Sequence, residues 1–228
     1  MAIKVVISGY GKMGHMIEDV LKRRGIECAL CSEDITATPK ELARECVCID
    51  FTQPDAIRAN YKFLAESFKA TVIGTTGWND IKDDVVAYFE KCGATMIYAS
   101  NFSIGVNILF RTAAYLSRLA AGHGDYSTTI EEIHHIHKLD APSGTAISLG
   151  KIVDENGGFN TQITSQRIGE VPGIHTLTLT GSCDKITLSH EAFSREGLAQ
   201  GAVEAALMTE RVSGVHEFKD LLFNSEAL

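Results

Sequence analysis

Residues 3–8, IKVVIS, form an apolar run rich in β-branched side chains that passes through GYGKMG straight into a helix-like stretch at residues 13–24. Short apolar runs bounded by turn residues read as buried strands, so the order is strand, glycine turn, helix. IECALC, CVCIDF, ATVIGT and ATMIYA repeat the strand signal, and residues 54–67 and 79–91 between them carry amphipathic helical spacing. Alternating β and α segments predict a parallel, doubly wound α/β sheet.

After about residue 104 the pattern changes. A helical segment at residues 106–121 precedes a strand-like YSTTIEEIHHI, and another helix follows from Ser143. In HTLTLTG and KITLSH the apolar Leu177, Leu179, Ile186 and Leu188 alternate with Thr176, Thr178, Thr180, Thr187 and Ser189 about a turn at residues 181–184. Period two of this kind predicts a half-buried, largely antiparallel sheet and hence a second, α+β lobe. The segment GAVEAALMTERVSG, from Gly201, predicts a closing helix with Gly214 as its C-cap. No low-complexity linker or internal repeat separates the lobes.

Composition fits this picture: 228 residues with 45% hydrophobic and 22% charged content are enough to bury a substantial core. Twenty-nine acidic against twenty-one basic residues leave a formal charge of −8, which argues against nucleic acid as a partner. The opening MAIKVVISGYG has no signal-peptide pattern, and no apolar run reaches membrane-spanning length. The expectation is a soluble cytoplasmic protein with no membrane partner. Among six cysteines, Cys28 and Cys31 form a CxxC inside an apolar strand rather than at a helix start, where a redox thiolate would be stabilised. They read as reduced thiols, and Cys46 and Cys48 lack zinc-knuckle spacing.

Gly9, Gly11 and Gly14 form GxGxxG after a strand and at the mouth of a helix, the context in which the motif means a dinucleotide site. Glycine permits the tight turn and lets backbone N–H groups approach a pyrophosphate, to which Lys12 can add positive charge. DFTQP, GTTG at residues 74–77 and SNFSIG follow later strands, where loops at the carboxyl ends of a parallel sheet collect ligands.

The chemistry concentrates in EEIHHIHKLDAPSGTA. As a strand, this stretch places Glu132, His134, Ile136 and Lys138 on one face; as a helix, it still places His134 and Lys138 together at i, i+4. A neighbouring ammonium disfavours imidazolium and keeps the imidazole able to exchange protons near neutrality. Pro142 favours an extended approach and Ser143 is suited to cap the next helix, whose first N–H groups, at Gly144 and Thr145, would then point at an anion. Consecutive histidines in a strand face opposite ways, so a metal site is not expected.

This stretch resembles the signature of the dihydrodipicolinate reductase family, the 4-hydroxy-tetrahydrodipicolinate reductases of lysine and diaminopimelate biosynthesis. GYGKMG, DFTQP, GTTG, ASNFSIGVN, RIGEVPGIHTLTL and HEAFSREGLAQGAVEAA recur in the family's order, so the resemblance covers nearly the whole chain. It implies a Rossmann-type lobe at residues 1–104 and 207–228, and an α+β lobe at residues 105–206 whose sheet builds a homotetramer. It implies NADH and/or NADPH held by Gly9, Tyr10, Gly11, Lys12, Met13 and Gly14, by Gly74, Thr75 and Thr76, and by Ala99, Ser100, Asn101 and Phe102. It also implies His134 as proton donor or acceptor and Lys138 as the second catalytic group, with His135, Gly144 and Thr145 binding a small cyclic dicarboxylate. Hydride delivered to C4 of a conjugated cyclic imine leaves electron density that a proton must quench; His134 is the candidate acid, with His137 in at most a supporting role.

The chain departs from the commoner pattern in carrying Lys12 where arginine is frequent, and in the short CSEDITATPKEL segment after the second strand. Glu33 or Asp34 there would meet the adenosine ribose, and an acidic side chain accepts from the 2′-hydroxyl of NADH but repels the 2′-phosphate of NADPH. Other enzyme classes fit less well. None of the six tyrosines has a lysine four residues on, as a short-chain dehydrogenase needs, and Cys92 and Cys183 lack a nearby base in sequence. A non-enzymatic nucleotide sensor would have no use for HHIHK followed by PSGT.

Overall fold

The computed structural model describes residues 3–223. Among these, the chain up to Ser103 together with the chain from Glu196 forms one compact unit, and Ile104–Arg195 forms a second. The first unit alternates β1 (Lys4–Ser8), α1 (Lys12–Arg23), β2 (Glu27–Ser32), α2 (Lys40–Glu45), β3 (Cys46–Asp50), α3 (Pro54–Ser67), β4 (Ala70–Ile73), α4 (Lys82–Cys92) and β5 (Thr95–Tyr98). The second comprises α5 (Ile104–Ala121), β6 (Ser127–His134), α6 (Gly144–Gly157), β7 (Gln162–Arg167), β8 (Gly173–Thr180) and β9 (Lys185–Ala192). The chain then returns to the first unit as α7 (Glu196–Met208), β10 (Val215–Glu217) and α8 (Phe218–Leu222).

Six parallel strands in the order β10-β5-β4-β3-β1-β2 make the first unit a Rossmann-type lobe. Its central strands β1, β3 and β4 are buried on both faces, which is why they read as continuous apolar runs. Val5, Ile7, Val47 and Ile49 pack with α1 and α7, while Val6, Cys46 and Cys48 pack on the other side with Ile57 and Leu64 of α3 and Val85 and Phe89 of α4. The order reverses between β1 and β3, so the loops at their carboxyl ends diverge around a crevice.

In the second unit the order is β7-β6-β8-β9, with β6 and β7 parallel and the other pairs antiparallel. Leu109 and Ala113 of α5 and Leu149 and Val153 of α6 cover Ile130, Leu177 and Leu179. The alternation of HTLTLT holds: Leu177 and Leu179 are buried while Thr176, Thr178 and Thr180 are not.

The return to the first unit comes at Glu196 rather than near residue 207, because Ala199, Ala202, Val203, Ala205 and Ala206 lay a flat face of α7 on the sheet core. The helix is also displaced from expectation. It ends at Met208, and Gly214 is not its cap but stands before β10 with φ +87°, its carbonyl accepting from Met96 N–H at 3.0 Å. The six-residue α2, the polar edge strand β7 and the three-residue β10 carry too little periodicity to have been read in advance. Among the described residues, no helix is long and apolar enough to cross a membrane.

Gly201 lies inside α7, yet a Cβ there would collide with the carbonyl of Phe102, which belongs to the loop after β5. Glycine to alanine inside a helix ordinarily stabilises by about 1 kcal/mol. Here the sign reverses, because the obstacle is backbone: Gly201→Ala is expected to destabilise by at least about 2 kcal/mol in urea unfolding. Gly197→Ala, whose Cβ would meet only Ser103 Oγ at 3.7 Å, should be neutral or stabilising. Equal behaviour of the two variants would refute this account of the α7 contact.

Candidate active site

In the first unit a buried carboxylate organises the loops at the carboxyl ends of β1, β3 and β4. Asp50, 2% exposed, accepts from Ser8 Oγ at 2.6 Å, Thr75 Oγ1 at 2.6 Å and Thr52 Oγ1 at 2.9 Å. Burial pushes its carboxyl upward, and the hydroxyl donors oppose that shift. Thr75 Oγ1 also accepts from Thr52 N–H at 2.7 Å, and its carbonyl accepts from Trp78 Nε1 at 2.6 Å. The Thr75 side chain is therefore committed inward, whereas Thr76 is exposed.

The glycine turn is built by close backbone approach. Gly9 has φ +87°, and a Cβ on it would strike the Phe51 carbonyl; one on Gly14 would strike the carbonyl of Gly9; one on Gly74 would fill the place of the Phe51 ring. Gly11 has nothing within 4 Å of its Cβ position, and no side chain caps α1 there. The free first-turn N–H groups beside an open backbone suit a pyrophosphate, so these residues fit a dinucleotide. Lys12 is exposed, Met13 packs partly into the core, and Tyr10 donates its hydroxyl to Glu18 with its ring 4.0 Å from His15.

The loop after β5 divides its roles. Ala99 N–H donates to the Ile73 carbonyl at 3.3 Å, Ser100 is exposed, and Asn101 Oδ1 accepts from Ser103 N–H at 2.9 Å. Phe102 is a core residue, 1% exposed, packed 4.9 Å from the Phe218 ring. Its ring is therefore committed to the core and its carbonyl lies against Gly201 of α7. At the end of β2 both acids are exposed, but Asp34 turns its carboxylate onto Thr36 N–H at 3.1 Å and Thr36 Oγ1 at 2.6 Å, which leaves Glu33 as the better candidate to meet a ribose.

In the second unit, strand pairing assembles the titratable cluster. His134 stands opposite Arg167 across β6 and β7, and Glu132 stands opposite His175 across β6 and β8. Period two puts Glu132 and His134 on the buried face of β6 with Ile130. Glu132, 0% exposed, accepts at Oε1 from Ser143 N–H at 3.0 Å and from the Arg167 guanidinium at 3.2 Å. Its Oε2 lies 3.2 Å from His134 Nδ1 and 3.8 Å from His175 Nε2, within ion-pair range but without hydrogen-bond alignment. Ser143 Oγ contacts His175 Nε2 at 3.2 Å and caps α6 by accepting from Ala146 N–H at 3.2 Å.

Charge follows from this geometry. Burial drives the Glu132 carboxyl upward, but hydrogen bonds from Ser143, Ser165 and Arg167 outweigh it and hold the group below the usual range. Burial lowers His134; Glu132 opposes, while Lys138 and Arg167 lower it further. His175 is pushed down to about 4, by burial first and then by His134.

One sequence expectation is corrected. The strand stops at His134, and residues 135–138 form a turn in which Lys138 N–H donates to the His135 carbonyl at 3.1 Å. His134 and Lys138 therefore share neither a strand face nor a helix face. Lys138 Nζ pairs with Asp140 Oδ1 at 2.8 Å, and Arg167 holds the same loop by donating to the carbonyls of Lys138 at 3.3 Å and Asp140 at 2.6 Å. The chain then passes through a cis Ala141–Pro142 bond into α6, where Gly144 is exposed and Thr145 half-buried. His135 is half-buried off the strand end, and His137 lies outside with Nε2 3.1 Å from Glu170.

Asp50, Glu132, Arg167 and His175 were not among the sequence candidates. Asp50 stands in DFTQP, Arg167 and His175 in RIGEVPGIHTLTL, and Glu132 two residues before His134, but nothing in those stretches singled them out. Glu132, His134 and His175 bring ligand atoms within 4.8 Å of one another. The Arg167 guanidinium already neutralises that carboxylate, however, so a cation there would meet like charge.

Two family models match the chain, described as Dihydrodipicolinate reductase, N-terminus, over residues 3–102 and Dihydrodipicolinate reductase, C-terminus, over residues 105–222. The chain is 38% identical to the 4-hydroxy-tetrahydrodipicolinate reductase of Christiangramia forsetii, covering 96% of this chain and 98% of that one. It is 35% identical to the enzyme of the same name from Methanopyrus kandleri, covering 84% and 76%. The solved dipicolinate-bound dihydrodipicolinate reductase of Paenisporosarcina sp. TG-14 is similar in fold, with TM-score 0.78 at 21% identity over 95% of this chain and 98% of that one.

The cluster has a thermodynamic signature. His175 takes up a proton near 6.5 when unfolded but only near about 4 when folded, so between these values the unfolded chain binds more protons. Stability should therefore be fully present above about pH 6.5 and fall as the pH drops toward 4, by up to roughly 3 kcal/mol. Urea unfolding of the unmodified protein and of His175→Asn at pH 7 and 4.5 tests this. A variant that keeps the full pH slope would show that His175 does not carry it.

Proposed function

Since the chain belongs to the dihydrodipicolinate reductase family, we propose that it catalyses the 4-hydroxy-tetrahydrodipicolinate reductase reaction, an NAD(P)H-dependent reduction in lysine and diaminopimelate biosynthesis. One observation carries the assignment of chemistry to this chain's residues. His134, the Lys138 loop and the capped start of α6 are all fastened to the single Glu132 carboxylate, through its approach to His134, the Arg167 bridge and Ser143 N–H.

The nicotinamide, when bound, supplies the hydride. The Gly9–Gly14 turn would hold the pyrophosphate, with residues 74–76 and 99–102 as further cofactor contacts. Lys138 and the first N–H groups of α6 at Gly144 and Thr145 hold a substrate carboxylate, with His135 beside them; positioning and charge both contribute. His134 gives the proton that balances hydride addition to the conjugated imine. As the resemblance implies, the working form is a cytoplasmic homotetramer, with the threonine-bearing side of β8 and β9 as the subunit contact.

His134→Gln is expected to lower kcat by roughly 10²- to 10⁴-fold, the range for loss of a general acid, with cofactor affinity nearly unchanged. The assay is NAD(P)H oxidation with the product of dihydrodipicolinate synthase supplied as substrate. Turnover near that of the unmodified enzyme would remove His134 from the mechanism, and no oxidation by the unmodified enzyme would defeat the assignment.

Cofactor choice rests on the end of β2. With Glu33 exposed there, and Lys12 as the opposing charge in the turn, kcat/KM for NADH should equal or exceed that for NADPH. Glu33→Ala should narrow the difference. A tenfold or larger preference for NADPH in the unmodified enzyme would overturn this reading of the strand end.

A further inference from the structure

The CxxC of β2 is not spaced like two ordinary strand residues. Val5 pairs with Cys28 but Val6 pairs with Leu30, so Ala29 is an extra, bulged residue. In a regular strand, residues three apart point to opposite faces. The bulge cancels that: Cys28 and Cys31 both pack on the α1 side of the sheet, while Ala29 and Leu30 pack on the other. Their sulfurs lie 3.5 Å apart. The carboxylate of Glu18, on α1, joins them, and the three ligand atoms lie within 4.8 Å of one another. Cys46 and Cys48 are on the opposite side of the sheet and belong to a different cluster.

We propose that Cys28, Cys31 and Glu18 form a binding site for one thiophilic divalent cation of the zinc class, at the open edge of the parallel sheet beside the glycine turn. Two thiolates bound at about 2.3 Å to a tetrahedral zinc stand roughly 3.8 Å apart, so the sulfurs need to move only a few tenths of an ångström. Two sulfurs and one carboxylate are a soft-to-borderline donor set that selects zinc over magnesium or calcium. Binding releases the two thiol protons and leaves two thiolates, a carboxylate and a dication, with the fourth position open to water. Since β2 is the edge strand, the cation reaches the site without opening the sheet.

The test is anaerobic titration of the reduced protein with Co(II), followed by displacement with Zn(II). The expected result is a near-ultraviolet thiolate-to-cobalt charge-transfer band that saturates at one equivalent and is abolished by Zn(II). Cys28→Ser and Cys31→Ser should remove the band, Glu18→Gln should weaken Co(II) binding at least tenfold, and Cys92→Ser with Cys183→Ser should leave it intact. X-ray absorption of the zinc-loaded unmodified protein, which requires no variant to fold, should show two sulfur neighbours at about 2.3 Å. Absence of the band, its survival in Cys28→Ser, its loss in the Cys92/Cys183 variant, or a shell of nitrogen and oxygen alone would each overturn the proposal.

Discussion

The Glu132 carboxylate is the constraint on which the second unit's chemistry depends. A fully buried carboxylate is tolerated only when donors surround it. Here Ser143 N–H at the entrance to α6 and Arg167 on β7 donate to one oxygen, while the imidazoles of His134 and His175 lie alongside the other without hydrogen-bond alignment. Satisfying one charge thereby ties the start of α6 to Arg167, which in turn holds the 138–140 loop, and leaves the second oxygen facing the His134 ring.

The first unit solves its own loop problem in a parallel way, with Asp50. Loops at the carboxyl ends of parallel strands lack the pairing that holds the strands themselves, and Asp50 replaces it by collecting donors from Ser8, Thr52 and Thr75. The glycines then work by absence. Gly9, Gly14 and Gly74 are the places where neighbouring backbone or the Phe51 ring occupies the Cβ position. Polar anchoring and glycine contact together produce an open backbone surface at Gly11 that depends on no side chain of its own.

The legibility of these features in the sequence follows from how they are made. Strands β1 to β5 were readable as short apolar runs, the central β1, β3 and β4 because both of their faces are buried, and the glycine turn because its motif is contiguous. Residues 134–145 stood out as a candidate because their polar groups are neighbours in the chain. Arg167, by contrast, reaches Glu132 from thirty-five residues away through the β6–β7 register, and His175 arrives through β8. No local pattern encodes those pairings. Thr75 and Phe102 show the complementary difficulty: both stand in loops where ligands collect, but the Thr75 hydroxyl is drawn in by Asp50 and the Phe102 ring by Phe218. A loop's position can be read from the chain, whereas the direction of its side chains depends on a core that the loop itself does not contain.

The balance of charges about His134 also bears on how a proton donor can work there. Burial, Lys138 and Arg167 all disfavour imidazolium, and Glu132 opposes them only in part, so the ring rests neutral near neutral pH. A neutral imidazole is not yet an acid. Under the proposed function, the ligand is a dicarboxylate, and one of its charges is received by Lys138 and the N-terminus of α6. That negative charge offsets the ammonium that had lowered the ring, and so favours the protonated form. Occupancy of the anion site thus favours proton loading at His134 by offsetting Lys138, while burial, the largest cause of the lowered proton affinity, continues to oppose it.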